Sequence, residues 1–273
     1  RGSVTLLDNN GEVFAWRGDQ FGGMVTAETV SPHLRNAIIA TEDKRFYAPY
    51  HMGIDFYATA AAMVRNYREN GNPLSGAGGS SITQQTAKLL CFGRPYDPDT
   101  WESETAYEAD CRETTLWRKV VEATYAMAME ARYSKDEILT VYMNRAYLGA
   151  GSRGFEAAAQ RYFGISAAEG DPAQAAMLAG LLRAPSATSP TRNLQAAQDR
   201  GDTVLRLMRD QGYLTHQEAA RAQADPATLS KAARQRSGGY FADWVMASGP
   251  EFFTRDTTED VIIRTTLDQR IQQ

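Results

Sequence analysis

The sequence predicts a mainly α-helical protein with short β segments at its N- and C-terminal ends. Apolar residues recur at helical spacing through most of the chain. Residues 1–30 instead alternate apolar and polar side chains around Asn10-Gly11, with Val4 and Leu6 before the turn and Val13, Phe14 and Trp16 after it, which reads as a hairpin. Residues 261–266 read as a closing strand.

The helices follow in order. Ser31-Pro32 supplies an N-cap and a proline at the first helical position, and Leu34, Ala37, Ile38 and Thr41 then share one face. Residues 55–67 form a second helix carrying Phe56, Ala60, Met63, Val64 and Tyr67, broken at Asn70-Gly71-Asn72-Pro73. A Gly/Ser-rich loop from Ser75 to Ser81 leads into a helix over 84–90, which Pro95 and Pro98 stop. Residues 97–113 hold Asp97, Asp99, Glu102, Glu104, Glu108, Asp110 and Glu113 against the single cation Arg112, and read as a solvated acidic insertion. A long helix spans 115–132. The next opens on a capping box, Ser134 with Glu137, and buries Ile138, Leu139, Tyr142 and Met143. Further helices fall at 154–162, 172–182, 194–211 and 215–224, and the pattern shifts again beyond Ser237-Gly238-Gly239.

Composition narrows the function classes. The chain has 273 residues, 43% apolar and 23% charged, enough for one domain or one domain with a small appendage. A net charge of -4 gives no basic face for nucleic acid. The lysines are only Lys44, Lys88, Lys119, Lys135 and Lys231, so Arg dominates the cations; that suits phosphate capture but equally reflects genome composition. The longest apolar run, 175–182, is far short of the roughly 18 residues a membrane span needs. No signal peptide precedes Arg1, so the chain reads as a piece of a longer protein. Its 3 histidines have no metal-binding spacing, and neither Ser-x-x-Lys nor Gly-x-Ser-x-Gly occurs. Cys91 and Cys111 are either a disulfide or two unrelated thiols, and spacing leaves both open.

Three groups can carry chemistry. Glu42-Asp43 falls at the C-terminal end of the Ser31 helix, where the negative end of the dipole and partial burial favour a general base. The bland alternative is an acidic pair on a surface turn. Gly78 to Gln85 joins a flexible loop to Ser80, Ser81, Thr83, Gln84 and Gln85, which suit sugar hydroxyls and anions, and the Gln pair is not required for capping. Lys88 lies one turn further on. Arg118, Lys119 and Glu122 are placed to face the same side of the long helix, as a phosphate site holding a carboxylate or as a structural ion pair.

In this order the motifs resemble glycosyltransferase family 51, the peptidoglycan glycosyltransferase domain of class A penicillin-binding proteins. The matching blocks are Glu42-Asp43-Lys44-Arg45-Phe46, Gly78 to Gln85, Arg118-Lys119-Val120-Val121-Glu122, the run from Lys135 to Asn144, and Arg161-Tyr162-Phe163-Gly164, across about residues 31–215. The resemblance implies a lysozyme-like, two-lobed helical fold with a cleft between the lobes and part of the smaller lobe dipped into the bilayer. It divides the chain into an N-terminal β-like segment, 1–30, following a membrane anchor; the glycosyltransferase domain, 31–235, with its insertion at about 93–114; and a linker, 236–273, toward a transpeptidase domain. Thr265-Thr266-Leu267-Asp268 resembles the lead-in to that domain.

By the same resemblance the substrate is lipid II, the partners are the growing glycan strand and the membrane surface, and the setting is the extracytoplasmic, periplasmic face of the bacterial inner membrane. Glu42 is implied as the general base and Glu122 as a second catalytic carboxylate that orients the donor or helps hold a divalent cation, magnesium or manganese. No organic cofactor is implied. Lys88, Arg118, Lys119 and Arg183 correspond to cations on the leaving diphosphate, and Asp43, Phe46, Ser80, Gln84 and Gln85 to the substrate-binding set.

The chain departs from the family pattern in three places. His51 stands two residues further from Phe46 than usual, Leu89 replaces an Asn after Lys88, and the stretch from Lys88 to Arg118 is long and carries both cysteines. That insertion is expected to project away from the lipid as a tethered flap, because like charges repel within a Debye length. Two rival readings stand beside the transferase: a lysozyme-like lytic hydrolase or transglycosylase, which needs paired carboxylates and no cationic face, and a cell-wall scaffold that has lost activity.

Overall fold

The structure is a computed structural model and describes residues 4–17, 23–71, 79–113, 115–234, 239–248 and 261–269. Ser75 to Gly78, Asn72-Pro73 and Ser237-Gly238, singled out in the sequence, lie outside these. The chain opens with β1 (Val4–Leu7) and β2 (Val13–Arg17), then α1 (Pro32–Glu42), α2 (Phe56–Asn70) and α3 (Ile82–Leu89). A 3-10 turn, Cys91–Gly93, leads to α4 (Glu104–Arg112), α5 (Leu116–Arg132) and α6 (Lys135–Arg145). Next come α7 (Phe155–Phe163), α8 (Pro172–Leu181), α9 (Leu194–Asp210) and α10 (His216–Ala224), and last α11 (Lys231–Arg234), α12 (Gly239–Ser248) and β3 (Val261–Arg264). The mainly α expectation with β segments at both ends holds. No helix among the described residues is long and apolar enough to cross a membrane.

Two compact units emerge, with the division falling inside α1. Unit 1 holds residues 1–25, 29–37 and 146–273; unit 2 holds 26–28 and 38–145. In unit 1 the Asn10-Gly11 hairpin forms as read, with Gly11 at φ +83°, a left-handed value that a side chain would strain. β3 joins it parallel to β1, giving the order β2-β1-β3 with Val4 opposite Val261. Leu6, Phe14, Ala242 and Leu267 pack as one buried cluster, so residues from both ends of the chain share a core.

The rest of unit 1 is built on α8, whose Ala, Leu and Met residues are buried all round, the mark of a central helix. α9 lies close against it because both contact positions lack side chains. A Cβ on Gly180 would stand 2.9 Å from Arg200 Cγ, and one on Gly201 3.5 Å from the Met177 backbone. Arg161 stacks its guanidinium 4.1 Å from the Trp16 ring centroid, and Gly164 caps α7 at φ +71°, which gives two residues of the Arg161-Tyr162-Phe163-Gly164 block structural work.

In unit 2, α3 packs against both α5 and α6. Its buried residues are mostly polar: Thr83, Gln84 and Thr86 beside Ile82 and Ala87. A buried polar helix is tolerated only when its side chains find partners, and those partners define the site. α2 leaves most of its apolar residues exposed. Asp55 caps it and Gly71 ends it, but Phe56, Met63, Val64 and Tyr67 of its apolar stripe are exposed, and only Ala62 and Asn66 are buried. Periodicity had marked an apolar face, and the structure leaves that face to solvent.

The acidic segment also departs from expectation. It is not a solvated loop throughout: Ser103 accepts from the Ala106 N–H to start α4, and Tyr96 and Trp101 pack edge-on against Tyr107. Cys91 and Cys111 are disulfide-bonded with Cα atoms 5.1 Å apart and both residues buried.

Candidate active site

Glu42 is the last residue of α1, as the sequence predicts, and is half-buried. Its Oε2 accepts from Gln85 Nε2 at 2.9 Å. The other end of that amide accepts from the Tyr142 hydroxyl at 3.1 Å, which fixes the amide's orientation. Burial, reinforced by the Glu42 charge, pushes the Tyr142 pKa well above its ordinary value. The phenol therefore stays a donor, and Gln85 always presents its NH2 to the carboxylate.

One turn along α3, Lys88 reaches the second carboxylate. Glu122 is 1% exposed and stands between Lys88 Nζ at 3.4 Å and Lys119 Nζ at 2.9 Å. Lys119 also donates to the Ser80 hydroxyl at 2.8 Å. A buried carboxylate needs such compensation, since its uncompensated burial costs several kcal/mol. Both ammonium groups keep an open side, at 27% and 37% exposure, and so remain available to a second anion.

Arg118 does not join them. The shared face read from the sequence splits, because Lys119 takes Glu122 while Arg118 turns to the insertion, pairing with Asp110 at 3.0 Å and Glu113 at 3.7 Å above the Phe92 ring. Asp110 also pairs with Arg94 at 2.9 Å. Burial pushes the Asp110 carboxyl up, but Arg94 and Arg118 outweigh it and hold the pKa below the ordinary value.

Gln84 requires a correction as well. Its Oε1 accepts from the Ser81 N–H at 2.9 Å in a capping box, so the Gln pair is in part a capping device. Phe46 lies fully buried, edge-on against His51. Arg183 lies in unit 1 beyond α8, exposed.

Asp43 opens a second, buried cluster that spacing alone did not reveal. Its Oδ2 accepts from the Ile82 N–H at 3.1 Å and stands 3.0 Å from His51 Nε2. On the other side of the imidazole, Nδ1 lies 3.3 Å from Glu130 Oε1 and 2.7 Å from Lys135 Nζ, and Lys135 donates to Glu130 at 2.6 Å. The extra two residues before His51 thus do not keep it from Asp43. Glu130 carried no sequence signal, since it sits in a helix whose other acidic residue already had a motif.

The donors around Glu122 are two ammonium groups and a hydroxyl, not further carboxylates. Among the described residues no three His, Cys, Asp or Glu side chains could hold a metal ion together. That donor set suits an anion better than magnesium or manganese, which favour several oxygen ligands.

In this helical unit one buried polar helix links one carboxylate to an amide and another to two ammonium groups. The transglycosylase family model matches residues 10–209, and the chain belongs to that family. It is 36% identical over 240 residues to penicillin-binding protein 1A of Aquifex aeolicus, across 88% of this chain and 30% of that protein. Penicillin-binding protein 1A/1B of Bacillus subtilis is 31% identical over 280 residues, 99% of this chain and 28% of its own length. The crystal structure of penicillin-binding protein 1A from Haemophilus influenzae shares the fold at a TM-score of 0.52 and 20% identity, over 98% of this chain and 27% of that one. The chain thus spans about 30% of the first of these relatives.

Proposed function

We propose that this chain is a peptidoglycan glycosyltransferase that polymerises lipid II into glycan strands with inversion at the anomeric carbon, releasing undecaprenyl diphosphate. The observation that carries the reading is the division of labour along α3: Gln85 orients the Glu42 carboxylate, and Lys88, one turn on, stands with Lys119 beside buried Glu122.

In this reaction the Glu42 carboxylate takes the proton of the acceptor's sugar hydroxyl. That oxygen attacks the anomeric carbon of the growing strand, and the bond from that carbon to the diphosphate oxygen breaks from the opposite face. The electron pair leaves with the lipid diphosphate, whose charge Lys88 and Lys119 meet through their open sides. Glu122 holds the two ammonium groups together. A lytic hydrolase makes no use of such cations, and its second carboxylate would not be enclosed by two ammonium groups.

The exposed apolar stripe of α2, with Tyr57 70% exposed, supports a membrane-surface setting. We assign the protein to the extracytoplasmic face of the inner membrane, where the lipid-linked substrate would lie, with a transpeptidase domain as partner in the full-length chain. The test is to supply lipid II in one reaction and finished peptidoglycan in another. Polymer from the first supports the assignment; soluble fragments from the second and no polymer from the first would replace it with a lytic enzyme.

A further inference from the structure

The start of α3 is gripped at three consecutive residues. Ser81 Oγ donates to the Gly53 carbonyl at 2.6 Å, the Ile82 N–H donates to Asp43 Oδ2 at 3.1 Å, and Thr83 Oγ1 donates to Glu130 Oε1 at 2.6 Å. Gly53 is itself flush against α5, since a Cβ there would lie 2.6 Å from the Ala126 carbonyl carbon. The residue that follows α1, the 51–53 loop and α5 thus meet at the first turn of the helix that delivers Gln85 and Lys88.

His51 and Lys135 keep the two gripping carboxylates in place. Asp43 and Glu130 would repel each other if left alone in this buried space, and His51 stands between them with Nε2 toward Asp43 and Nδ1 toward Glu130. Lys135 closes the cluster through Glu130 and the His51 carbonyl, at 2.6 and 3.0 Å, and its ammonium lies over the Phe46 ring at 4.8 Å. We propose that Glu130 and Lys135 are positioning residues for glycosyl transfer, acting through His51 and Asp43 to fix the start of α3 and so the reach of Gln85 to Glu42 and of Lys88 to Glu122. The proposal rests on the transferase reading above.

The ionisation of the cluster agrees with this geometry. Burial pushes the His51 imidazole down, but the Asp43 and Glu130 carboxylates outweigh it and lift its pKa to about 9. Burial lowers the Lys135 pKa. The Lys135 charge, with Nζ 2.7 Å from His51 Nδ1, works against that rise without cancelling it. The remaining charged neighbours are Asp55, whose carboxyl the His51 charge helps to lower, and Arg45, which pairs with Asp55.

The test compares wild type with Lys135→Met, Lys135→Arg and Thr83→Ala in lipid II polymerisation, alongside hydrogen exchange at the Ile82 and Thr83 amides. Lys135→Met should lower kcat on the order of 10- to 100-fold with KM little changed, because a misplaced helix misaligns the reacting groups without removing a binding group. Lys135→Arg should restore most of the rate, and both amides should lose protection in Lys135→Met. Thr83→Ala removes one hydroxyl and decides the matter if Lys135→Met does not fold: a lowered kcat and faster exchange are expected. A folded Lys135→Met, or failing that Thr83→Ala, with unaltered kcat and unaltered exchange would overturn the proposal. A wild-type protein that makes no polymer would sink the transferase reading instead, while loss of amide protection would still register the grip on α3.

Discussion

Glu42 and Glu122 show how environment divides work between two like side chains. Glu42 is half-buried and accepts from the Gln85 amide. Glu122 is enclosed and pinned by two ammonium groups. The other buried charges make stability depend on pH from both sides. Burial raises the Asp55 and Glu130 pKa values, but Arg45 for Asp55, and His51 and Lys135 for Glu130, leave both below their ordinary 3.8 and 4.5. Their stabilisation is therefore present at neutral pH and lost as pH falls through those values and below. His51 has the opposite sign: raised from 6.5 to about 9, it stabilises fully below 6.5 and loses that contribution as pH rises through about 9. Thermal unfolding from about pH 3 to pH 10 should give a plateau with an acid and an alkaline fall. His51→Gln should remove the alkaline fall; an alkaline limb unchanged in that variant would contradict the assignment.

At the scale of elements, the signals the sequence carried were local ones. Ser134 and Glu137 form the capping box read from their spacing, with the Ser134 N–H donating to Glu137 at 2.8 Å, and Asn10-Gly11 makes its turn. What escaped were partnerships made at a distance. The acidic composition of 97–113 hid α4, because Arg94 and Arg118, which hold Asp110, come from either side of the segment. The disulfide completes this by closing a loop with a sequence separation of 20 between Cys91 and Cys111. By the chain-entropy model such a loop stabilises by about 3 kcal/mol. Reduction, or Cys111→Ser, should lower the melting temperature and loosen Arg118. Non-reducing mass analysis is the direct check, and two alkylatable thiols in protein exported to an oxidising compartment would count against the bridge.

For the whole molecule, periodicity located helices but could not say what each apolar face meets. α8 is buried all round, whereas the stripe of α2 is left open together with Trp117 of α5, which is 74% exposed. Nor could local pattern show that β3 would pair with β1, or that Asp43, His51, Glu130 and Lys135 would converge, since such contacts are settled only by packing. If the open stripe meets lipid, replacing Val64 and Tyr67 with Glu should weaken sedimentation with phospholipid vesicles and leave the fold intact; unchanged sedimentation would argue against that face.

The central claim is that Glu42 removes the acceptor proton in glycosyl transfer, and its most direct test is lipid II turnover by Glu42→Gln. The amide is nearly isosteric and Gln85 can still hydrogen-bond to it, so the fold should persist. Loss of a general base lowers the rate on the order of 10²- to 10⁴-fold. The account expects a folded variant that binds lipid II and makes essentially no polymer while the wild-type protein polymerises it. Near-normal turnover by folded Glu42→Gln would contradict it.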